Sequence, residues 1–302
     1  MLENVSKDVR ALLAAKDVKD EIHQFVDGLE NDIKHRKDRV FDVTISKPLN
    51  DIMGGMRRGE LIVVGARPSN GKSALLLSMI MDIAKQGKKV HFFSLEMSVR
   101  QCVERIFCAE TNISLNKLYT ESTLKEIGEV GSVFHRSLNM MWAALDNVKF
   151  TLSDGCGKDY EEILTLIEYN NGFDAIVIDY AQMIRQRNNT QRESIDEYLK
   201  SLRQLAIDKN MCIILASQIN RGAGDGTRVP GSWELKSTGA LEEVADKILI
   251  LHRPWLYNKS GNAKETDMIV DVAKNRQGRT GRGGLEFFGE YFKFRSKIDE
   301  KK

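Results

Sequence analysis

The sequence predicts an α/β protein: a mostly parallel central sheet flanked by helices, with one further helix set apart at the N-terminus. Three observations lead there. The apolar run Leu61-Ile-Val-Val-Gly65 gives way, across Ala66-Arg-Pro-Ser-Asn-Gly-Lys-Ser73, to a helical pattern that starts at Ala74. Downstream, short β-branched or apolar runs alternate with helical patterns, as strands joined by crossover helices do. The last runs are short and closely spaced, which suits antiparallel pairing at the C-terminal end of the sheet.

Residues 1–40 differ from the rest. Ile22, Phe25, Val26, Leu29 and Ile33 form one apolar stripe at helical spacing, and the charged run Lys34-His-Arg-Lys-Asp-Arg39 follows as a polar linker. Such a helix can pack on its own domain or on a neighbour's, the first being the simpler arrangement. Strands are expected at Lys89 to Ser94, Val148 to Leu152, Asp174 to Asp179, Met211 to Ser217, Lys247 to His252 and Asp267 to Ala273. Shorter ones are expected at Gly284 to Phe288 and Tyr291 to Phe294. The clearest helix runs from Ser194 to Asp208, with Ile195, Tyr198, Leu199, Leu202, Leu205 and Ala206 on one face. Two glycine-rich loops interrupt the pattern, Asn220 to Gly231 and Gly278 to Gly284. The division expected is 1–40 for the helix and linker, 41–296 for the main domain and 297–302 for a charged tail.

The chain has 302 residues, 42% hydrophobic and 29% charged, which is the composition of an ordinary globular protein with a full core. No apolar stretch is long enough to span a bilayer and the N-terminus lacks a signal-peptide core, so the expected setting is the cytoplasm, with no membrane partner. Cys102, Cys108, Cys156 and Cys212 have no metal-ligand spacing, and reduced, partly buried thiols are expected. A net charge of +2 lacks the basic excess of a dedicated nucleic-acid binder, so any polynucleotide contact must come from local loops.

The segment 66–73 joins a strand to a helix N-terminus, where successive backbone N–H groups and the helix dipole favour phosphate. Ala66, Arg67, Ser69, Asn70, Gly71, Lys72 and Ser73 are the residues expected to bind a nucleotide there. Lys72 would reach the β and γ phosphates and the Ser73 hydroxyl would ligate magnesium. Ala66 stands where the usual pattern has glycine, and as the smallest replacement it keeps the close approach of backbone to phosphate. Asp179 closes the apolar run Ala-Ile-Val-Ile-Asp and suits a second magnesium contact; the alternative is a helix N-cap. Glu96 leaves the sheet at the same edge, where a general base would orient and deprotonate water. Gln218 ends the next strand and is either a sensor of the γ-phosphate or a buried amide satisfied by backbone.

Together these segments resemble the helicase domain of DnaB-type replicative helicases. The stretches that carry the resemblance are 54–73, Phe93-Ser-Leu-Glu-Met97, Ile176-Val-Ile-Asp-Tyr180, Ser217-Gln-Ile-Asn-Arg221, 237–246 and Ala273-Lys-Asn-Arg-Gln-Gly278, in the family's order and across most of 45–295. Alanine at the position of Ala66 is usual in that family. The resemblance implies a RecA-like P-loop fold, ATP and Mg2+ as cofactors, and a homo-hexameric ring with ATP at each interface. It implies Glu96 as the catalytic glutamate, Gln218 as the sensor, and Lys274 and Arg276 as a pair reaching a neighbour's ATP, Arg276 being the arginine finger. Two cations two residues apart on a strand share a face and suit a bidentate grip on phosphate; without the resemblance, a solvated basic strand edge is the simpler reading.

The family threads single-stranded DNA through the ring. Lys236, Thr238 and Gly239 match its backbone-contacting loop, although Lys236-Ser237 stands where the family has Arg-Glu, and Arg221 and Arg228 could add to the contact. Backbone N–H groups and one cation per subunit, repeated around a ring, can grip DNA without a basic monomer. Family members also meet a primase and a helicase loader. The chain opens at what resembles the family's linker helix, either as a natural minimal version of the kind a phage or plasmid encodes or as a cut-down piece. The expected function is ATP-driven translocation on single-stranded DNA with duplex unwinding. A RecA-like recombination ATPase and a non-motor ATP switch or assembly factor are the alternatives.

Overall fold

The computed structural model describes residues 18–155, 157–169, 172–179, 191–219, 227–235 and 238–297. The chain divides at Val40 into two compact units. In the first, α1 (Val18–Lys34) is followed by a helical turn, Arg36–Arg39. Lys34 pairs with Glu30 one turn back, at 2.6 Å. The stripe Ile22, Phe25, Val26, Leu29 and Ile33 is exposed along its length.

The second unit is built on a nine-stranded sheet with helices on both faces. Its strands are β1 (Leu61–Ala66), β2 (Lys89–Ser94), β3 (Lys149–Asp154), β4 (Ala175–Asp179), β5 (Cys212–Gln218), β6 (Lys247–His252), β7 (Asp267–Asn275), β8 (Gly281–Phe288) and β9 (Lys293–Ser296). They lie in the order β9-β8-β7-β6-β1-β5-β4-β2-β3. From β6 to β3 every pair is parallel, and β7, β8 and β9 add an antiparallel extension. Strands β2 and β6 have the bounds read from the sequence; β7 and β8 run longer, by Lys274 and Asn275 and by Gly281 to Gly283.

Nearly all residues of the central strands are buried, and alternate side chains serve different cores, as the two-residue strand period requires. Ile62, Val64, Val90, Phe92, Val177 and Ile214 pack beneath α3 (Lys72–Lys85). Val63, Phe93, Ile176, Ile178, Leu215 and Ile250 meet the other core. That core includes Ile163 and Ile167 of α7 (Tyr160–Tyr169) and Tyr198, Leu199, Leu202 and Ala206 of α8 (Gln191–Asp208), as well as Leu241 of α9 (Thr238–Val244). The side chain of Ile195 lies outside the described residues.

Side-chain caps fix the remaining helices. Ser46 accepts from Leu49 N to start α2 (Lys47–Met53), and Gly54, left-handed at φ 67°, ends it. Ser98 and Gln101 form a reciprocal capping box that opens α4 (Val99–Thr111). Between β2 and β3 also lie α5 (Glu121–Ile127) and α6 (Val133–Leu145), each started by a hydroxyl cap. Cys102, Cys108 and Cys212 are buried free thiols, and Cys156 lies outside the described residues. Among the described residues no helix is long and apolar enough to cross a membrane.

Where β1 and β6 begin, the Lys247 ammonium donates to both carboxylate oxygens of Glu60, and both side chains are sealed from water. Arg57 N adds a bond to Glu60 at 2.9 Å. Removing one member strands a buried charge, so Glu60→Ala should lower unfolding stability by about 3–5 kcal/mol in urea titrations. Glu60→Leu combined with Lys247→Met should recover much of that loss.

Candidate functional site

The loop between β1 and α3 is shaped by two left-handed residues, Ser69 at φ 65° and Gly71 at φ 87°. Gly71 is the N-cap of α3 and offers no side chain to the helix's first turn, whose leading N–H groups precede the first helical bond, Leu75 N to Gly71 O. The left-handed backbone there favours glycine, and a Cβ at Gly71 would also crowd the Phe287 ring, 3.1 Å away.

Asn70, almost wholly buried, ties this loop to the chain after β6. Its carbonyl oxygen accepts from Arg253 N at 3.0 Å, and its amide donates to Tyr257 Oη at 2.8 Å and to Pro68 O at 3.1 Å. The Arg67 guanidinium lies over the Tyr257 ring, 5.3 Å from its centre. His252 stacks on the same tyrosine, and burial, with the charges of Arg67 and Arg282 adding to it, pushes its pKa down to about 4.

The parallel strands deliver their C-terminal ends to this loop. A cleft of about 470 Å³ there is lined by Ala66, Arg67, Ser69, Gly71, Lys72 and Ser73, and Glu96 from beyond β2 and Gln218 from β5 face the same space. Asp179, at the end of β4, is 1% exposed, and neither of its carboxylate oxygens accepts a hydrogen bond among the described residues. The Lys72 ammonium stands 3.1 Å from its Oδ1, an ion pair without hydrogen-bond alignment. A buried carboxylate so placed favours more positive charge beside it. Together with the Ser73 hydroxyl at the start of α3, its hard oxygen donors fit a magnesium ion.

Sequence reasoning missed part of the cleft wall: Arg105, Arg253, Phe287 and Phe292 also line it. Arg253 lies over the Phe287 ring at 5.0 Å and donates to Glu265 O at 3.0 Å, and burial lowers its pKa. The one available signal was that Arg253 directly follows a strand whose end reaches the loop.

Lys274 and Arg276 lie at the opposite end of the sheet. Strand β7 runs antiparallel to β6, so Asn275 pairs with Lys247, which in turn pairs with Ile62 near the start of β1. The length of β1 therefore separates this pair from its own loop, roughly 20 Å at strand rise. Strand β8 pairs with β7 only as far as Val272, so Lys274 lies beyond that ladder and Arg276, 45% exposed, follows the strand's end, as a basic strand edge would. Lys274 Nζ donates to Glu242 O and Arg276 Nη2 to Glu243 O, the last carbonyls of α9, where the helix dipole favours cations. Burial and the adjacent Arg276 lower the Lys274 pKa.

Of the proposed DNA contacts, Gly239 is exposed in the first turn of α9. Arg221, Lys236 and the side chain of Thr238 lie outside the described residues. Arg228 is held within its own loop by Glu234, with Nη1 3.2 Å from Oε2. Leu235 packs so closely on β1 that a Cβ at Gly65 would fall 2.2 Å from it, which anchors the segment leading into α9.

The profile of the DnaB-like helicase C-terminal domain matches residues 43–296. The replicative DNA helicase DnaB of Geobacillus stearothermophilus is 32% identical over 291 residues, which cover 93% of this chain and 62% of that protein. The replicative DNA helicase DnaC of Bacillus subtilis gives the same identity and coverage, so the chain spans 62% of the length of both relatives. The solved structure of a DnaB-like replicative helicase, one that describes that protein's interactions with primase, shares the fold. Its TM-score is 0.78 over 91% of this chain and 66% of that one, at 23% identity.

Asn70→Ala would leave buried loop groups without partners and should cost about 1–3 kcal/mol of stability in thermal or urea melts. Since it also removes the bonds from the loop to Tyr257 Oη and Arg253 N, amide hydrogen exchange across residues 67–71 should be faster in the variant than in the parent.

Proposed function

The chain belongs to the DnaB-like helicase C-terminal domain family, and from that membership we propose that it is a RecA-like P-loop ATPase that moves along single-stranded DNA and unwinds duplex. The observation that carries this reading is the division of charged groups between the two ends of one sheet. Loop, Glu96 and Gln218 share a cleft at one end, while Lys274 and Arg276 lie at the other, out of reach of their own cleft. A site so divided is completed by a second copy of the chain, which supports assembly into a ring of six.

In this reading Ala66, Arg67, Ser69, Asn70, Gly71, Lys72 and Ser73 bind the ATP phosphates. Ser73 and Asp179 would hold a magnesium ion, which would supply positive charge beside the phosphate oxygens. Glu96 takes the proton from the attacking water, and Gln218 senses whether the γ-phosphate is present. Lys274 and Arg276 meet the charge that grows on a neighbour's γ-phosphoryl group. Lys236, Thr238 and Gly239 contact the DNA backbone, with Arg221 and Arg228 adding positive charge. The exposed stripe of α1 docks on an adjacent subunit, a primase and a loader are further partners, and the cytoplasm is the place of action. Unwinding of a forked duplex that requires ATP and is lost in Lys72→Ala tests the whole; DNA-stimulated hydrolysis without unwinding would overturn the helicase reading.

Glu96→Gln keeps the shape of the side chain but cannot take a proton. ATP binding should persist while kcat falls by roughly a hundredfold or more, measured in parallel by equilibrium titration and phosphate release. Arg276→Ala should also leave ATP affinity largely intact, and DNA-stimulated turnover should fall about a thousandfold or more.

A further inference from the structure

We propose that Asp246 is the positioning residue of Arg276, holding the finger in the place from which it reaches a neighbour's nucleotide; the inference rests on the finger reading given above. Asp246 immediately precedes β6 and its side chain is 4% exposed. Its Oδ1 stands 3.5 Å from Arg276 Nη1. The main chains are clasped as well, Arg276 N donating to Asp246 O at 2.9 Å.

The carboxylate itself is immobilised. Oδ2 accepts from Leu61 N at 2.9 Å, and Oδ1 also accepts from Arg203 Nη2 at 3.0 Å, while Arg203 Nη1 donates to Gly59 O at 2.5 Å. Arg276, by contrast, is 45% exposed, and a free arginine side chain samples many rotamers. One nitrogen faces Asp246 and the other donates to Glu243 O at the end of α9. That grip orients the planar guanidinium from one side and leaves it exposed for bidentate contact with phosphate. Misplacing a catalytic cation by about an ångström can cost about a hundredfold in rate, so a fixed counter-charge behind the finger matters to catalysis and not to substrate affinity.

Asp246→Asn keeps shape and can still accept from Leu61 N, but gives the finger no counter-charge. It should lower DNA-stimulated kcat by roughly ten- to a hundredfold while KM for ATP stays within about twofold. Because Asp246 also holds the start of β1, the defect has to be located by mixing full-length subunits, with exchange followed by energy transfer between labelled chains. Lys72→Ala subunits carry an intact Asp246 and Arg276, and Asp246→Asn subunits carry an intact loop. Their mixture should show more ATPase than the two variants give separately at the same concentrations. If it does not, while the mixture of Lys72→Ala with Arg276→Ala does, Asp246 acts through its own loop and the proposal is overturned with the finger reading intact. If the Arg276→Ala mixture also fails to recover, the finger reading falls and the role of Asp246 falls with it. Should Asp246→Asn not fold, Asp246→Glu retains the charge but displaces it, and the same kcat loss and the same recovery on mixing are expected; unchanged kcat would overturn the proposal.

Discussion

Charge that is sealed from water has to meet opposite charge, and the central sheet answers that demand at both ends of its parallel strands. Asp179 ends β4 and faces Lys72; Glu60 precedes β1 and holds Lys247; Asp246 precedes β6 and holds Arg203. Apolar alternation alone would let a strand slide by two residues and still present the same face to the same core. These carboxylates would not survive such a slide, because each would lose its cation while remaining buried. The Glu60–Lys247 pair and the Leu61–Asp246 bond set β1 against β6, while Asp179 and Asp246 fix β4 against α3 and the start of β6 against α8.

The central parallel strands were legible because they are buried on both faces and so read as apolar runs bounded by polar turns, whereas the parallel edge strand β3 is only partly covered. Lys89 to Ser94 and Lys247 to His252 are such runs. Strand β7 is half-buried and ends in Lys274 and Asn275, which look like loop residues until their partners across the sheet are known. In the cleft, the groups on the ends of strands could be read, since strand polarity alone brings them to one side. Tyr257, Arg253 and Phe287 could not, because they reach the loop only through tertiary packing and carry no local pattern. The Arg228–Glu234 pair was hidden for a different reason: a glycine-rich stretch reads as open, and the partner that holds Arg228 is a side chain six residues on.

One short helix lies between the two proposed contact regions. Helix α9 begins at the segment read as touching DNA, and its last carbonyls receive Lys274 and Arg276. Its seven residues amount to about 10 Å of rigid rod, and Leu235 packed against β1 anchors the chain just before it. An anchored, stiff element thus joins the proposed polymer contact to the proposed finger.

The placement of the loop and the proposed finger at opposite ends of one sheet also bears on inheritance. In the proposed ring, a chain that lacks either group would still offer its other half to a neighbour, so the damage from one altered copy would fall on sites that also contain normal chains. A gene for such a variant, expressed beside the normal one, would be expected to act dominantly. Its severity would depend on the share of altered chains in each ring and on their order around it.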